Sequence, residues 1–317
     1  MGMLIDGEWE QDSFDKRRAA GRFVRAASQF RSWITPDGAP GPTGTGGFKA
    51  DGGRYHLYIG HACPWAHRTH IFLKLKGLEA LISTSVVHWF MGKDGWTFEP
   101  AEGVVPDSVN GARAMYQIYQ KADPEFTGRV TIPVLWDKHT NTIVNNESAE
   151  IIRMFNSAFD GCGAVAHDFY PEPLQTEIDT VNDRVYDTLN NGVYKAGFAM
   201  TQDAYDAAVI PLFETLDWLE ARLADHRYLV GDTLTEADWR LFPTLVRFDP
   251  VYHGHFKCNL RKLTEYPNLW AYTKRLYKIP GVSDTVVLDH FKRHYYASHA
   301  VINPTRVVPA GPDISYD

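Results

Sequence analysis

Cysteine is scarce in this sequence: there are three, Cys63, Cys162 and Cys258, among 317 residues. An odd number at wide spacing fits neither a disulfide framework nor a zinc-ligand pattern. Free thiols in a reducing cytosol are the natural reading. A basic excess is also missing, since 32 Lys and Arg stand against 39 Asp and Glu, for a formal net charge of −7. A partner held by phosphate neutralisation is therefore not expected. The longest apolar runs, such as Leu81 to Val87, are far too short to span a bilayer. The start, Met1-Gly2-Met3-Leu4-Ile5-Asp6, has neither the basic residues nor the apolar stretch of a secretory signal. The Gly/Pro-rich stretch 36–47 lacks a following Gly-Lys-Ser/Thr and is no phosphate-binding loop. A cytoplasmic protein without a nucleic-acid or membrane partner is expected.

What is present is ordinary globular chemistry, 44% hydrophobic and 22% charged, in a chain long enough for about two domains. The first fifty residues read as an irregular extension that includes the Gly/Pro-rich loop. Tyr55 to Ile59 alternates as a strand. Pro64 suits the first position of a helix, which carries Ile71, Phe72 and Leu75 and stops at Gly77. Leu81 to Val87 completes a parallel βαβ unit. Residues 88–128 read as an insertion with one short helix near 114–119. Two short strands follow, Ile132 to Trp136 and Thr142 to Val144, then a helix from Ser148. This makes residues 51–160 an α/β domain of order β-α-β, insertion, β-β-α. Residues 156–173 read as a linker, and 174–317 as an all-helical domain ending in a Pro-rich extended tail. Within it, Thr235-Glu236-Ala237-Asp238 resembles a capping box.

Cys63 carries the chemistry. The string Cys63-Pro64-Trp65-Ala66-His67-Arg68 lies where a strand ends and a helix begins. The partial positive charge of a helix N-terminus favours thiolate there and lowers the thiol pKa. A dithiol oxidoreductase would carry its second cysteine at position 66, and Ala66 stands there instead. A mixed disulfide on Cys63 must then be resolved by a thiol from solution, and glutathione is the abundant one in a cytosol.

Two further elements suit that ligand. Pro133, opening a short strand after a βαβ unit, suits a cis peptide bond that would turn the main chain of Ile132 toward a peptide-like ligand. Taken alone, an ordinary edge-strand proline is the better reading. Glu147-Ser148 opens the next helix, where a hydroxyl and a helix N-terminus suit a carboxylate and Glu147 can accept from an ammonium group. Simple helix capping is the plainer alternative. Only the occurrence of all three elements in order makes the signal specific.

In that order they resemble glutathione transferases: an α/β thioredoxin-like N-terminal domain plus an all-α C-terminal domain. More narrowly, the Cys-Pro-Trp-Ala-His-Arg string, the Gly-Pro-Thr-Gly-Thr-Gly-Gly loop and Asn145 to Arg153 look like the glutathionyl-hydroquinone reductases, or xi-class transferases. The resemblance implies a homodimer that reduces glutathionyl-hydroquinones through a Cys63–glutathione mixed disulfide, with glutathione as co-substrate and no metal. It points to Tyr194, Tyr252 and Tyr295 as hydroxyl donors to the reacting aromatic, with Tyr295 against Tyr296 left open. It assigns glutathione contacts to Trp96, Arg129, Val130, Ile132, Pro133, Glu147 and Ser148.

Weaker candidates read as structural: His253, His255 and Cys258 lack an evident fourth ligand, and His290 and His294 read as a solvated or hydrogen-bonded pair. His67 and Arg68 either help hold the thiolate or line the helix surface. The competing activities are a glutathione-conjugating transferase, a general thiol transferase or dehydroascorbate reductase, and a non-catalytic binding module of the same fold. Conjugation would favour Tyr or Ser where Cys63 stands, and a binding module would leave Cys63 inert.

Overall fold

The computed structural model describes residues 2–11 and 21–316. They fall into two compact units. The first comprises the described residues of 1–17 and Ala26–His167; the second comprises those of 18–25 and 168–317.

The first unit is built on a four-stranded sheet of order β4-β3-β5-β6. Strand β3 (Tyr55–Ile59) is buried at every residue and lies between β4 (Ile82–Val86) and β5 (Val134–Asp137). It runs parallel to β4 and antiparallel to β5, and β5 pairs antiparallel with β6 (Thr142–Asn145). Helix α1 (Pro64–Leu75) makes the crossover from β3 to β4, with Pro64 at its first position, where a missing N–H costs nothing. Helix α3 (Ser148–Ser157) buries Ile151, Ile152 and Phe155 and packs on α1. The expected order, β-α-β then β-β-α, is the order observed.

Two departures are informative. The strand expected from Ile132 begins at Val134, so Ile132 and Pro133 precede the sheet ladder. The N-terminal extension, expected to be irregular, contains an antiparallel hairpin of β1 (Gly2–Ile5) and β2 (Glu8–Gln11). Asp6 and Gly7 turn it with φ of 47° and 78°, the pair of positive values that a tight two-residue hairpin requires. Residues 88–128 hold the expected short helix as α2 (Met115–Ala122).

The second unit is helical: α4 (Gln175–Val185), α5 (Gly192–Gly197), α6 (Gln202–Asp225), α7 (Glu236–Arg247), the single turn α8 (His253–His255), α9 (Pro267–Tyr277) and α10 (Leu288–Ser298). The C-terminal tail has no regular structure, but its Tyr316 is buried against Trp270 and Tyr277. No helix among the described residues is long and apolar enough to cross a membrane.

The expected capping box at α7 is present. Asp238 accepts from the Thr235 N–H at 2.8 Å, the Leu229 N–H at 3.0 Å and the Tyr272 hydroxyl at 2.7 Å, all buried. Asp238→Ala leaves these donors, and the Thr235 hydroxyl that also donates to it at 3.3 Å, without an acceptor. It should lower the unfolding free energy by on the order of 3 kcal/mol, read from urea unfolding; a loss no larger than that of an ordinary surface substitution would contradict the shared role of this carboxylate.

Candidate active site

Cys63 is the N-cap residue of α1, and its carbonyl accepts the first helical bond, from His67 N–H at 3.0 Å. The side chain is 9% exposed. Its thiol donates to the carbonyl of Ile132 at 3.5 Å. The sulfur therefore lies against the short run of main chain ahead of β5, and the Ile132–Pro133 bond there is cis. Gly60, immediately after β3, leaves room beside this segment. A Cβ on Gly60 would stand 2.7 Å from both the Ile132 and Val87 side chains, with the Trp96 ring 3.9 Å away.

The segment 130–133 is held from behind by Tyr119 of α2. Its buried hydroxyl donates to Thr131 O at 3.0 Å, and accepts from Thr131 N–H at 3.3 Å and from Asn146 Nδ2 at 3.0 Å. Asn146 immediately precedes the pair at the start of α3. Burial pushes the Tyr119 hydroxyl pKa up, so the group stays protonated and can donate. Tyr119 carries no signal in the sequence, and Asn146 has one only as part of the string from Asn145 to Arg153.

At α3 the two residues divide their work. Glu147 is the N-cap residue, with its carboxylate accepting from Ala149 N–H at 3.2 Å and from Ser28 Oγ at 3.1 Å. A carboxylate has about four acceptor positions, so capacity remains for an ammonium group. Ser148 therefore does not cap. Its hydroxyl is buried with no hydrogen-bond partner among the described residues, a condition that costs free energy and suits a ligand oxygen at a helix N-terminus. Trp96 is 6% exposed. Arg129 and Val130 are half-buried and follow Gly128, which exchanges two 2.9 Å main-chain bonds with Leu4 of the hairpin. The first unit thus gathers a thiol at a helix N-cap position, an unladdered peptide segment, a carboxylate and an orphaned hydroxyl. These are the groups needed to hold a γ-glutamyl peptide and to attack its sulfur.

The three tyrosines meet in the second unit. Tyr295 lies 2.5 Å from Tyr194 and 3.2 Å from Tyr252, hydroxyl to hydroxyl. Burial pushes the pKa values of Tyr252 and Tyr295 well up, and the neighbouring Tyr194 adds to both shifts. Both keep their protons at neutral pH and are hydroxyl donors. Tyr296 lies against His255 at 4.7 Å between ring centres, so Tyr295 and not Tyr296 is the one that hydrogen-bonds Tyr194. Residues 21–25 also belong here: Phe23 stacks on Tyr194, and the Arg25 guanidinium lies over its ring at 4.9 Å.

His255 hydrogen-bonds His299 at 3.1 Å, and burial pushes the Cys258 thiol pKa up. His294 lies 3.4 Å from Ser298 Oγ. His67 and Arg68 are buried, the latter over the Trp65 ring at 4.7 Å.

Comparison with known proteins agrees with this geometry. The glutathione S-transferase N-terminal domain profile matches residues 62–158, and the C-terminal domain profile matches residues 202–275. The chain is 56% identical to the glutathionyl-hydroquinone reductase YqjG of Escherichia coli (strain K12) over 313 residues, 98% of this chain and 95% of the relative. It is also 56% identical to the glutathionyl-hydroquinone reductase PcpF of Sphingobium chlorophenolicum over 312 residues, 98% of this chain and 96% of the relative. The glutathione-bound structure of YqjG superposes with a TM-score of 0.93 at 54% identity, covering 100% of this chain and 97% of the other. A xi-class glutathione transferase from Natrialba magadii superposes with a TM-score of 0.92 at 47% identity, covering 100% and 95%.

Buried neutral histidines set a pH dependence. Burial holds the pKa of His56, between Ser83 and Ser85, and that of His255 at about 4, against an ordinary 6.5. Between these values the unfolded chain binds more protons than the folded one, so stability falls as pH falls through 6.5 toward 4. Each histidine contributes up to about 1.4 kcal/mol per pH unit. The urea midpoint should drop clearly between neutral pH and about pH 5; a flat profile would contradict the buried neutral state of these rings.

Proposed function

The chain belongs to the glutathionyl-hydroquinone reductases, the xi class of the glutathione transferase family, and we propose that it reduces glutathionyl-hydroquinones to hydroquinones at the expense of a second glutathione. The observation that carries the reading is the position of Cys63: at the N-cap of α1, 3.5 Å from the Ile132 carbonyl, with Ala66 where a resolving cysteine would stand.

The Cys63 thiolate attacks the sulfur of the glutathionyl-aromatic. A sulfur–sulfur bond forms, and the bond from sulfur to the aromatic carbon breaks. The electron pair goes to the carbon, which takes up a proton to give the free hydroquinone. The thiolate of a second glutathione then attacks the mixed disulfide, releasing oxidised glutathione and regenerating Cys63. The two-step course gives ping-pong kinetics. In both steps glutathione is held by Ile132 through its main chain, by the orphaned hydroxyl of Ser148 toward a carboxylate, and by Glu147 toward the γ-glutamyl ammonium. Trp96, Arg129, Val130 and Pro133 complete its seat. Tyr194, Tyr252 and Tyr295 supply hydroxyl donors to the hydroquinone oxygen and to the carbon that takes up the proton. A homodimer in the reducing cytosol, as the sequence resemblance implies, is part of the same proposal. The protein needs an abundant external thiol because no second cysteine stands at position 66.

Steady-state assay with glutathionyl-menadiol and glutathione tests the reading. Cys63→Ser should abolish release of menadiol while thermal unfolding stays unchanged. Turnover retained by this variant would remove Cys63 as the nucleophile. Ser148→Ala should raise the KM for glutathione by about tenfold, the loss of one hydrogen bond to a charged group, with kcat largely kept; an unchanged KM would contradict the carboxylate role of this hydroxyl.

A further inference from the structure

The geometry points to Trp9, in the N-terminal hairpin, as a positioning residue for glutathione binding. The inference rests on the glutathione reading of the first unit and extends it to a part of the chain to which the sequence assigned no function.

The indole of Trp9 reaches several segments that carry the proposed glutathione contacts. Its Nε1–H donates to Lys93 O at 3.0 Å, on the turn that leads into Trp96. Its ring edge lies against Gly95, the residue before Trp96. A Cβ on Gly95 would stand 2.9 Å from the indole, and Gly95 has a φ of +68° that suits glycine. The same ring stacks on Tyr116 of α2 at 5.0 Å and 18°. Tyr116 is three residues before Tyr119, whose hydroxyl holds Thr131. Across the hairpin, Trp9 pairs with Leu4, and Leu4 exchanges both main-chain bonds with Gly128, next to Arg129. The turn of the hairpin is fixed to the same two regions: Gln120 of α2 donates to Gly7 O at 2.7 Å, and Gly7 N–H donates to Phe126 O at 3.1 Å.

The indole thus joins the Trp96 turn to α2 with its hold on 131, and the hairpin main chain that carries it is bonded to the strand-like segment at 128–129. None of these segments lies in the four-stranded ladder that forms the core. A flexible Trp96 turn and 128–132 segment would have to be ordered each time glutathione binds, and that ordering would weaken affinity. With Trp9 in place the cost is met on folding. Trp9 acts through these residues and not on sulfur, so its effect belongs to glutathione affinity and not to the chemical step.

The test is isothermal titration of the reduced full-length protein with glutathione, together with steady-state kinetics. Trp9→Ala should weaken glutathione binding by about tenfold and raise the KM for glutathione equally. The kcat at saturating glutathione and the rate of Cys63 alkylation by iodoacetamide should stay within about twofold. Trp9→Phe keeps the stack and loses the N–H donor, so it should fall between the two and rescue most of the affinity. If the wild type binds glutathione and Trp9→Ala binds it equally well, the inference is overturned. It is also overturned if kcat and alkylation rate fall together with the rise in KM while Trp9→Phe gives no rescue, which is the signature of a merely structural residue. If the wild type itself does not bind glutathione, the underlying reading fails. Should Trp9→Ala not fold, Trp9→Phe decides alone: binding weakened about threefold at unchanged melting temperature supports the role, and wild-type binding refutes it.

Discussion

The thiol chemistry depends on one close approach, between the end of β3 and the peptide segment ahead of β5. Gly60 leaves room for it, because a single added carbon there would meet the side-chain ends of Ile132 and Val87 at 2.7 Å. The approach sets the Cys63 sulfur 3.5 Å from the Ile132 carbonyl. Nucleophile and peptide-binding main chain therefore come as one unit. β5 starts only at Val134, so sheet pairing does not consume the Ile132 main chain. Tyr119, from a helix in the insertion, fixes the same segment from the other side through Thr131 and Asn146. The rest of the first unit serves to hold these few residues still.

The second unit solves a different physical problem: how to keep several phenols neutral and in one network. Tyr252 and Tyr295 are fully buried, and burial together with the mutual proximity of the three hydroxyls favours the protonated form. The histidines around them are also kept neutral by burial, His255 and His299 being hydrogen-bonded to one another. The result is an aromatic cluster whose hydroxyls act as donors, suited to a phenolic substrate and to a carbon that must take up a proton.

Much of this was legible in the sequence, for identifiable reasons. The βαβ unit announces itself by a period of two switching to 3.6, and Pro64 and Gly77 bracket the helix between its strands. Ala66 told more by what it is not. The Thr235–Asp238 box is local and so could be read locally. The rest depends on tertiary placement. Tyr295 and Tyr296 are adjacent on one helix, and only the packing of that helix decides which joins Tyr194. Which of Glu147 and Ser148 caps α3 shows only in the folded chain; Glu147 takes the task, and the Ser148 hydroxyl is left without a partner among the described residues. Tyr119 is one of 16 tyrosines, and nothing nearby in the sequence marks it. The N-terminal hairpin did carry a signal, the Asp6-Gly7 turn, but strands of four residues are too short for their alternation to stand out.

The central claim is that Cys63 takes the glutathionyl group from the substrate before any second thiol is involved. Intact-protein mass spectrometry after mixing the reduced enzyme with one equivalent of glutathionyl-menadiol, with no free glutathione, tests this most directly. The account predicts free menadiol and a protein heavier by one glutathionyl group, located on the peptide that contains Cys63 and removed when glutathione is added. Unmodified protein with menadiol released only after glutathione is added would contradict it.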